Sequence, residues 1–219
     1  MSKKAQFVPS LRKLNNTKNI KMSVKTKWSI NPANSKISFK VMHLMISNVK
    51  GLFKKFEASI ETNENDFTTT KVALWINLSS LETGDRRRDE HLKSAEFFDV
   101  SKHKKITFVS DCFEKTGKDG CYNLWGYLTM KGITNRIRLD VKSKEPTNHQ
   151  YSNDKADFTI NAKLSRKDWG LNWNMPSANG SIMGSNEVFI SCEIELLKLH
   201  KEELATGSVR STIIESVVI

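Results

Sequence analysis

The feature that most constrains this chain is a two-residue rhythm of apolar side chains that recurs from Trp28 almost to Leu197. Ile37, Phe39 and Val41 alternate with Lys36, Ser38 and Lys40. A strand turns successive side chains to opposite faces, so this spacing makes one face apolar and leaves the other wet. Phe56, Ala58 and Ile60 repeat it, as do Val72, Leu74, Ile76 and Leu78. Ile106 and Phe108 open another row, and Tyr122, Leu124, Gly126, Leu128 and Met130 the next. Ile137, Leu139 and Val141 follow, then Phe158, Ile160, Ala162 and Leu164. Val188, Ile190, Cys192, Ile194 and Leu196 close the series of eight segments. Turn sequences separate them, such as Asn63 to Asp66, Gly117 to Gly120 and Asn148 to Asp154.

Eight amphipathic strands with little helix predict an all-β sandwich or a closed antiparallel barrel. Closure removes exposed edges. An eight-stranded barrel has an interior just wide enough for packed side chains or one slim ligand. One segment breaks the rhythm. Asp85 to Leu92 lacks β-branched residues and is rich in helix formers, which predicts a short helix over 85–95 with Thr83 or Asp85 near its N-cap. Phe97 and Phe98 follow it and need burial, so helix and rings together are expected to cap one end of the barrel.

Charge separates the ends from the body. The net charge is +11, yet residues 1–30 hold eight basic side chains and no acidic one, leaving 27 basic against 24 acidic residues beyond. The basic character therefore belongs to a tail, expected to be a disordered, solvated arm, with contact to anionic lipid headgroups as its functional alternative. The body has no basic stripe with interleaved aromatics, which argues against nucleic-acid binding. Residues 1–27 are set apart as this basic extension, 28–197 as the barrel, and 198–219 as a C-terminal extension of undetermined structure. The chain has no apolar run of the length that a membrane-crossing helix needs, about 18 residues or more. It also lacks the basic, apolar and small-residue succession of a secretory signal, so a cytoplasmic address is expected, or a periplasmic one if the true start differs, Met22 being an alternative first residue.

Residues with chemical potential are few. No two of the five histidines share a metal-ligand spacing. Asp85, Asp89 and His91 lie close in sequence and define the alternative of a small metal-dependent enzyme; on one helix, however, His91 points away from the two aspartates, and Arg88 with Asp89 is expected to tie the helix to the barrel by ion pairs. No nucleophile elbow or phosphate-binding glycine loop is present, and Glu193 with Glu195 reads as a solvated outward row, so no enzymatic activity is expected and no cofactor is implied. Of the three cysteines, Cys112 and Cys121 flank a turn that, centred near Thr116 and Gly117, places them opposite each other; they bridge in an oxidising compartment or otherwise pack as free thiols.

Several blocks, in order, resemble the YceI-like, polyisoprenoid-binding, lipocalin-like family. They are Trp28 to Phe39, His43 with Val49 to Phe53, Thr83 with Arg88 to Leu92 and Phe97 to Asp99, Ile106 to Phe108, Gly126 to Thr134, Arg166 to Asn174, and Gly184 to Val188. The resemblance implies an extended eight-stranded antiparallel barrel around a long apolar pocket that takes an isoprenoid, an isoprenoid quinone or a related lipid such as a fatty amide. It further implies transport or storage, links to stress and, in many members, a periplasmic address and homodimers. The sequence departs from the family pattern at Asn31, where an aspartate is usual, at Asn34, where a histidine is usual, in lacking a signal peptide, and in its C-terminal extension.

The expected lipid-binding residues are Phe39, Val41, Leu74, Ile76, Phe108, Leu128, Phe158 and Ile160 along the interior. Phe97, Phe98, Trp169 and Trp173 are expected near an opening, with His43 and Arg88 as polar contacts at the mouth. An interaction protein that docks to membranes through its tail is the remaining alternative.

Overall fold

The alternating segments fold as strands, each turning its apolar row to a shared interior. The computed structural model describes residues 25–43, 47–64, 66–144, 154–172 and 185–200. In chain order the strands are β1 (Lys25–Ile30), β2 (Lys36–His43), β3 (Ser47–Phe53), β4 (Phe56–Asn63), β5 (Asp66–Asn77) and β6 (Leu81–Glu82). Helix α1 (Arg86–Lys93) precedes β7 (Lys105–Lys115), β8 (Cys121–Met130), β9 (Ile133–Ser143), β10 (Lys155–Ser165) and β11 (Glu187–Lys198).

All pairings are antiparallel, and they close a ring in the order β1, β4, β5, β7, β8, β9, β10, β11 and back to β1. This is the expected eight-stranded barrel. Strand β2 continues the line of β1 along β11, β3 continues β4 along β2, and the two-residue β6 continues β5 along β3. Three neighbouring barrel strands are thus broken at one level. Asn31–Ser35, Lys54–Lys55 and the 3-10 turn Leu78–Ser80 lie side by side there, and Lys54 N–H donates to Ser80 O while Asn77 N–H donates to Lys55 O. The barrel wall is creased along this line, and hydrogen bonds across it replace part of the interrupted ladder.

The strand directions define two ends. The helix end collects the C-termini of β2, β5, β8 and β10, the N-termini of β7, β9 and β11, and α1. The opposite end holds Trp28, Phe67 and Phe158, whose rings pack in sequence at centroid separations of 5.2 Å and 5.1 Å. Trp28 is 2% exposed, and its indole N–H donates to Thr62 Oγ1 at 3.0 Å. At the helix end, Phe97 and Phe98 are buried edge to face at 5.0 Å.

Helix α1 ends two residues earlier than the predicted span, and Asp85 is its N-cap, accepting from Arg88 N–H at 3.0 Å. That hydrogen bond holds the Asp85 carboxyl below its usual pKa. The expected opposition of Cys112 and Cys121 is not found. Cys112 pairs with Trp125 and Cys121 with Lys142, and all three cysteines are free. The turn is centred further along the chain, with Lys115 opposite Tyr122, and an irregularity between Ser110 and Cys112 shifts the register.

The outward row at the end of β11 also differs from expectation. Glu193 is exposed, but Glu195 is 5% exposed because the turn after β1 folds over it. Its Oε1 accepts from Asn31 Nδ2 at 2.6 Å and from Asn34 Nδ2 at 3.0 Å, and its Oε2 meets the Lys155 ammonium. Lys155 and the two amides together bring its pKa down to about 2. The two asparagines that depart from the family pattern therefore sit on the outside of the barrel, locking β1 to β11.

Candidate binding cavity

The inward rows do not fill the barrel. They enclose a cavity of about 870 Å³ that runs from Phe67, Phe113 and Phe158 at one end to Leu92, Phe97 and Trp169 at the other. Along β10 alone, the wall from Phe158 to Leu164 spans roughly 20 Å of strand at about 3.3 Å per residue. Such a shape suits an extended chain better than a compact molecule.

Each described residue expected at the interior lies on this wall. Phe39 and Val41 come from β2, Leu74 and Ile76 from β5, Phe108 from β7. Leu128 comes from β8, and Phe158 and Ile160 from β10. Phe97, Phe98, Trp169 and Arg88 line the helix end. The His43 side chain and the whole of Trp173 fall outside the described residues.

Two inward glycines shape the shaft. A Cβ at Gly51 would stand 2.3 Å from Phe39 Cζ, and one at Gly126 would stand 2.4 Å from Phe108 Cζ. Each ring therefore packs against a glycine on the neighbouring strand, in space that any side chain there would take.

The polar part of the wall gathers at the helix end. Thr83 sits between two charged residues of α1. Its hydroxyl donates to Asp89 Oδ1 and accepts from Arg88 Nε at 2.8 Å, while its backbone N–H donates to Asp89 Oδ1 at 2.9 Å. Arg88 Nη2 also donates to Thr83 O at 3.0 Å. The helix is tied to the barrel through these hydrogen bonds to Thr83, where ion pairs were expected.

The metal-ligand alternative is not assembled. Asp85 caps the helix, Asp89 holds Thr83, and His91 Nδ1 lies 3.3 Å from Glu96. No group of three metal-ligating side chains converges among the described residues.

Sequence reasoning missed Arg166 as a wall residue. It opens the 3-10 turn Arg166–Trp169 after β10, is 6% exposed, and lines the cavity. Its Nε donates to Ser185 O at 3.2 Å and its Nη1 to Leu171 O at 2.5 Å. Burial lowers its pKa from the ordinary arginine value, yet a guanidinium stays charged at any physiological pH. Trp169, three residues on, is 1% exposed and donates from Nε1 to Leu128 O at 3.0 Å. Gly170 follows at φ 63°, the left-handed conformation that ends the turn and returns its N–H to Lys167 O. Cys192 is the only thiol on the wall, and burial pushes its pKa up to about 12, so it stays protonated.

A closed antiparallel eight-stranded barrel around an axial apolar cavity defines a class of small binding barrels. Residues 28–196 match the YceI-like domain, and the chain belongs to that family. A UPF0312 protein of Staphylococcus aureus is 33% identical over 174 residues, which cover 78% of this chain and 96% of that protein. A UPF0312 protein of Staphylococcus epidermidis is 34% identical over 169 residues, 75% of this chain and 94% of its own. Among solved structures, the Campylobacter jejuni YceI protein superposes with a TM-score of 0.60 at 27% identity, covering 73% of this chain and 90% of that one. A polyisoprenoid-binding domain from Saccharophagus degradans shares the fold, with a TM-score of 0.59 at 15% identity over 78% of this chain and 98% of that one.

Proposed function

We propose that the barrel binds one long-chain apolar lipid, an isoprenoid or a molecule of similar shape, and carries or stores it without chemical change. The observation that supports this most is the unfilled apolar shaft of about 870 Å³ along the barrel axis. Water in such a shaft has few partners, whereas a hydrocarbon gains about 0.8 kcal/mol for each methylene buried. A sixteen-carbon chain then gains on the order of 12 kcal/mol, comparable with the roughly 4–15 kcal/mol that association costs, so polar contacts at the mouth tip the balance. The name of the Saccharophagus degradans domain, which describes a polyisoprenoid-binding protein, agrees with this ligand class.

Carriage without chemistry fits the wall. Among the described residues it holds no carboxylate, and its thiol is protonated. The basic residues before Trp28 give this reading a contact with anionic membranes, where lipid is taken up or delivered. The test is displacement of a polarity-sensitive apolar fluorophore. The protein should enhance its emission saturably at one site, and a C16–C20 chain should displace it. A fluorophore that stays dark would count against the reading.

A further inference from the structure

The charges on the cavity wall are of one sign and lie at one end. Among the described residues its basic members are Arg87, Arg88, His91 and Arg166, and no aspartate or glutamate lines it; Lys50 also borders it but turns its side chain outward beside Lys40. Of the carboxylates on and beside α1, Asp85 caps the helix, Asp89 meets Thr83 and Glu90 pairs with Arg86, while Glu96 lies against His91. Nor does the sequence of 173–184 contain an acidic residue.

Arg166 makes this imbalance consequential. A buried charge ordinarily meets an opposite charge, because desolvating it alone is expensive. Arg166 is 6% exposed, its guanidinium donates to two carbonyl oxygens, and no carboxylate among the described residues forms an ion pair with it. Its remaining guanidinium N–H groups belong to a wall residue of an otherwise apolar cavity. Arg87 and Arg88 come from the face of α1 that also brings Leu92 to the wall, whereas Arg86 and Glu90 pair on the outer face. The two sources face the same cavity from opposite sides of the rim, because β11, β2 and β3 lie between β10 and β6 in the eight-strand ring.

We propose that the barrel selects amphiphiles whose headgroup is an oxyanion, a carboxylate or a phosphate monoester, seated at the helix end against Arg166 and within the positive field of Arg87 and Arg88 across the mouth. This rests on the lipid-binding reading and names the headgroup it requires. The guanidinium fork matches the paired oxygens of either group, and its charge-assisted hydrogen bonds are about twice as strong as neutral ones. A quinone or an amide accepts hydrogen bonds there but leaves the arginine charge uncompensated. The apolar shaft then takes the chain, so one molecule satisfies both ends of the cavity.

The test compares headgroups on one chain. The full-length protein is titrated at pH 8 with oleate and oleamide, and with geranylgeranyl phosphate and geranylgeraniol, by fluorophore displacement. Each anion is expected to bind at least tenfold tighter than its neutral counterpart, and the stronger of the two anion preferences identifies the source of the headgroup. Arg166→Gln should collapse the ratio towards one. Arg87→Gln, at an exposed position on the helix, should reduce it in a protein whose fold is not at risk. Equal binding of anion and neutral isostere, or a ratio that survives both substitutions, overturns the headgroup assignment and leaves the lipid site standing. Failure of all four ligands to bind overturns the lipid reading itself.

Discussion

Asn31 reaches across from the turn after β1 and donates its side-chain amide to Glu195 Oε1 at 2.6 Å, closing the seam where the first and last strands of the barrel meet. The carboxylate is ionised there with a pKa of about 2, whereas an unfolded glutamate titrates near 4.3. A depressed folded-state pKa contributes stability that is fully present above the unfolded value and lost as pH falls through the folded one. The denaturation midpoint is therefore expected to fall between about pH 4.5 and pH 2, and Glu195→Gln should flatten that part of the profile. Asn31→Asp would set two carboxylates in contact; it should destabilise the protein at pH 7 and much less near pH 3, as read by urea unfolding at both values.

Thr83 is the hinge between helix and barrel. Replacing it with valine keeps the shape and removes the hydroxyl that joins Arg88 to Asp89. Leaving such partners half satisfied costs about 1–3 kcal/mol. Hydrogen exchange should quicken in α1 and leave β8–β9 protected. Uniform protection would mean that the helix is held by its apolar face alone.

The glycines of the shaft set its bore. A Cβ at Gly126 meets the Val109 carbonyl oxygen at 2.5 Å as well as the Phe108 ring, and backbone cannot step aside as a ring can. Gly126→Ala is expected to destabilise by roughly 1–3 kcal/mol, the usual cost of overpacking. Gly51→Ala meets the Phe39 ring and the Thr83 methyl, both side chains, so it should fold and push Phe39 into the lumen. Its signature is weakened binding of long chains with a near-normal melting temperature.

The interior of this barrel was legible in the alternation, because each of the eight apolar rows seeded one barrel strand. Strand β3 was not, since its inward row reads Val49, Gly51, Phe53 and the glycine interrupts the apolar signal. The spacing of Val49 from Phe53 was the remaining clue. Alternation also says nothing of what covers an outward face, which is why Glu195 passed for a solvated residue. The cysteine register failed on the turn, which centres at Lys118 and Asp119 instead of Thr116 and Gly117 and so leaves Cys112 opposite Trp125. Arg166 stands one residue beyond the end of β10, where the two-residue rule no longer tells inside from outside.

The central claim is that the shaft holds a lipid. Protein purified without detergent, washed, and then denatured in organic solvent should release close to one long-chain molecule per polypeptide in the mass spectrum of the extract, and Leu128→Trp, which fills the shaft, should release far less. An extract empty of long-chain molecules, from protein that also fails to take one up when it is supplied, would contradict the account.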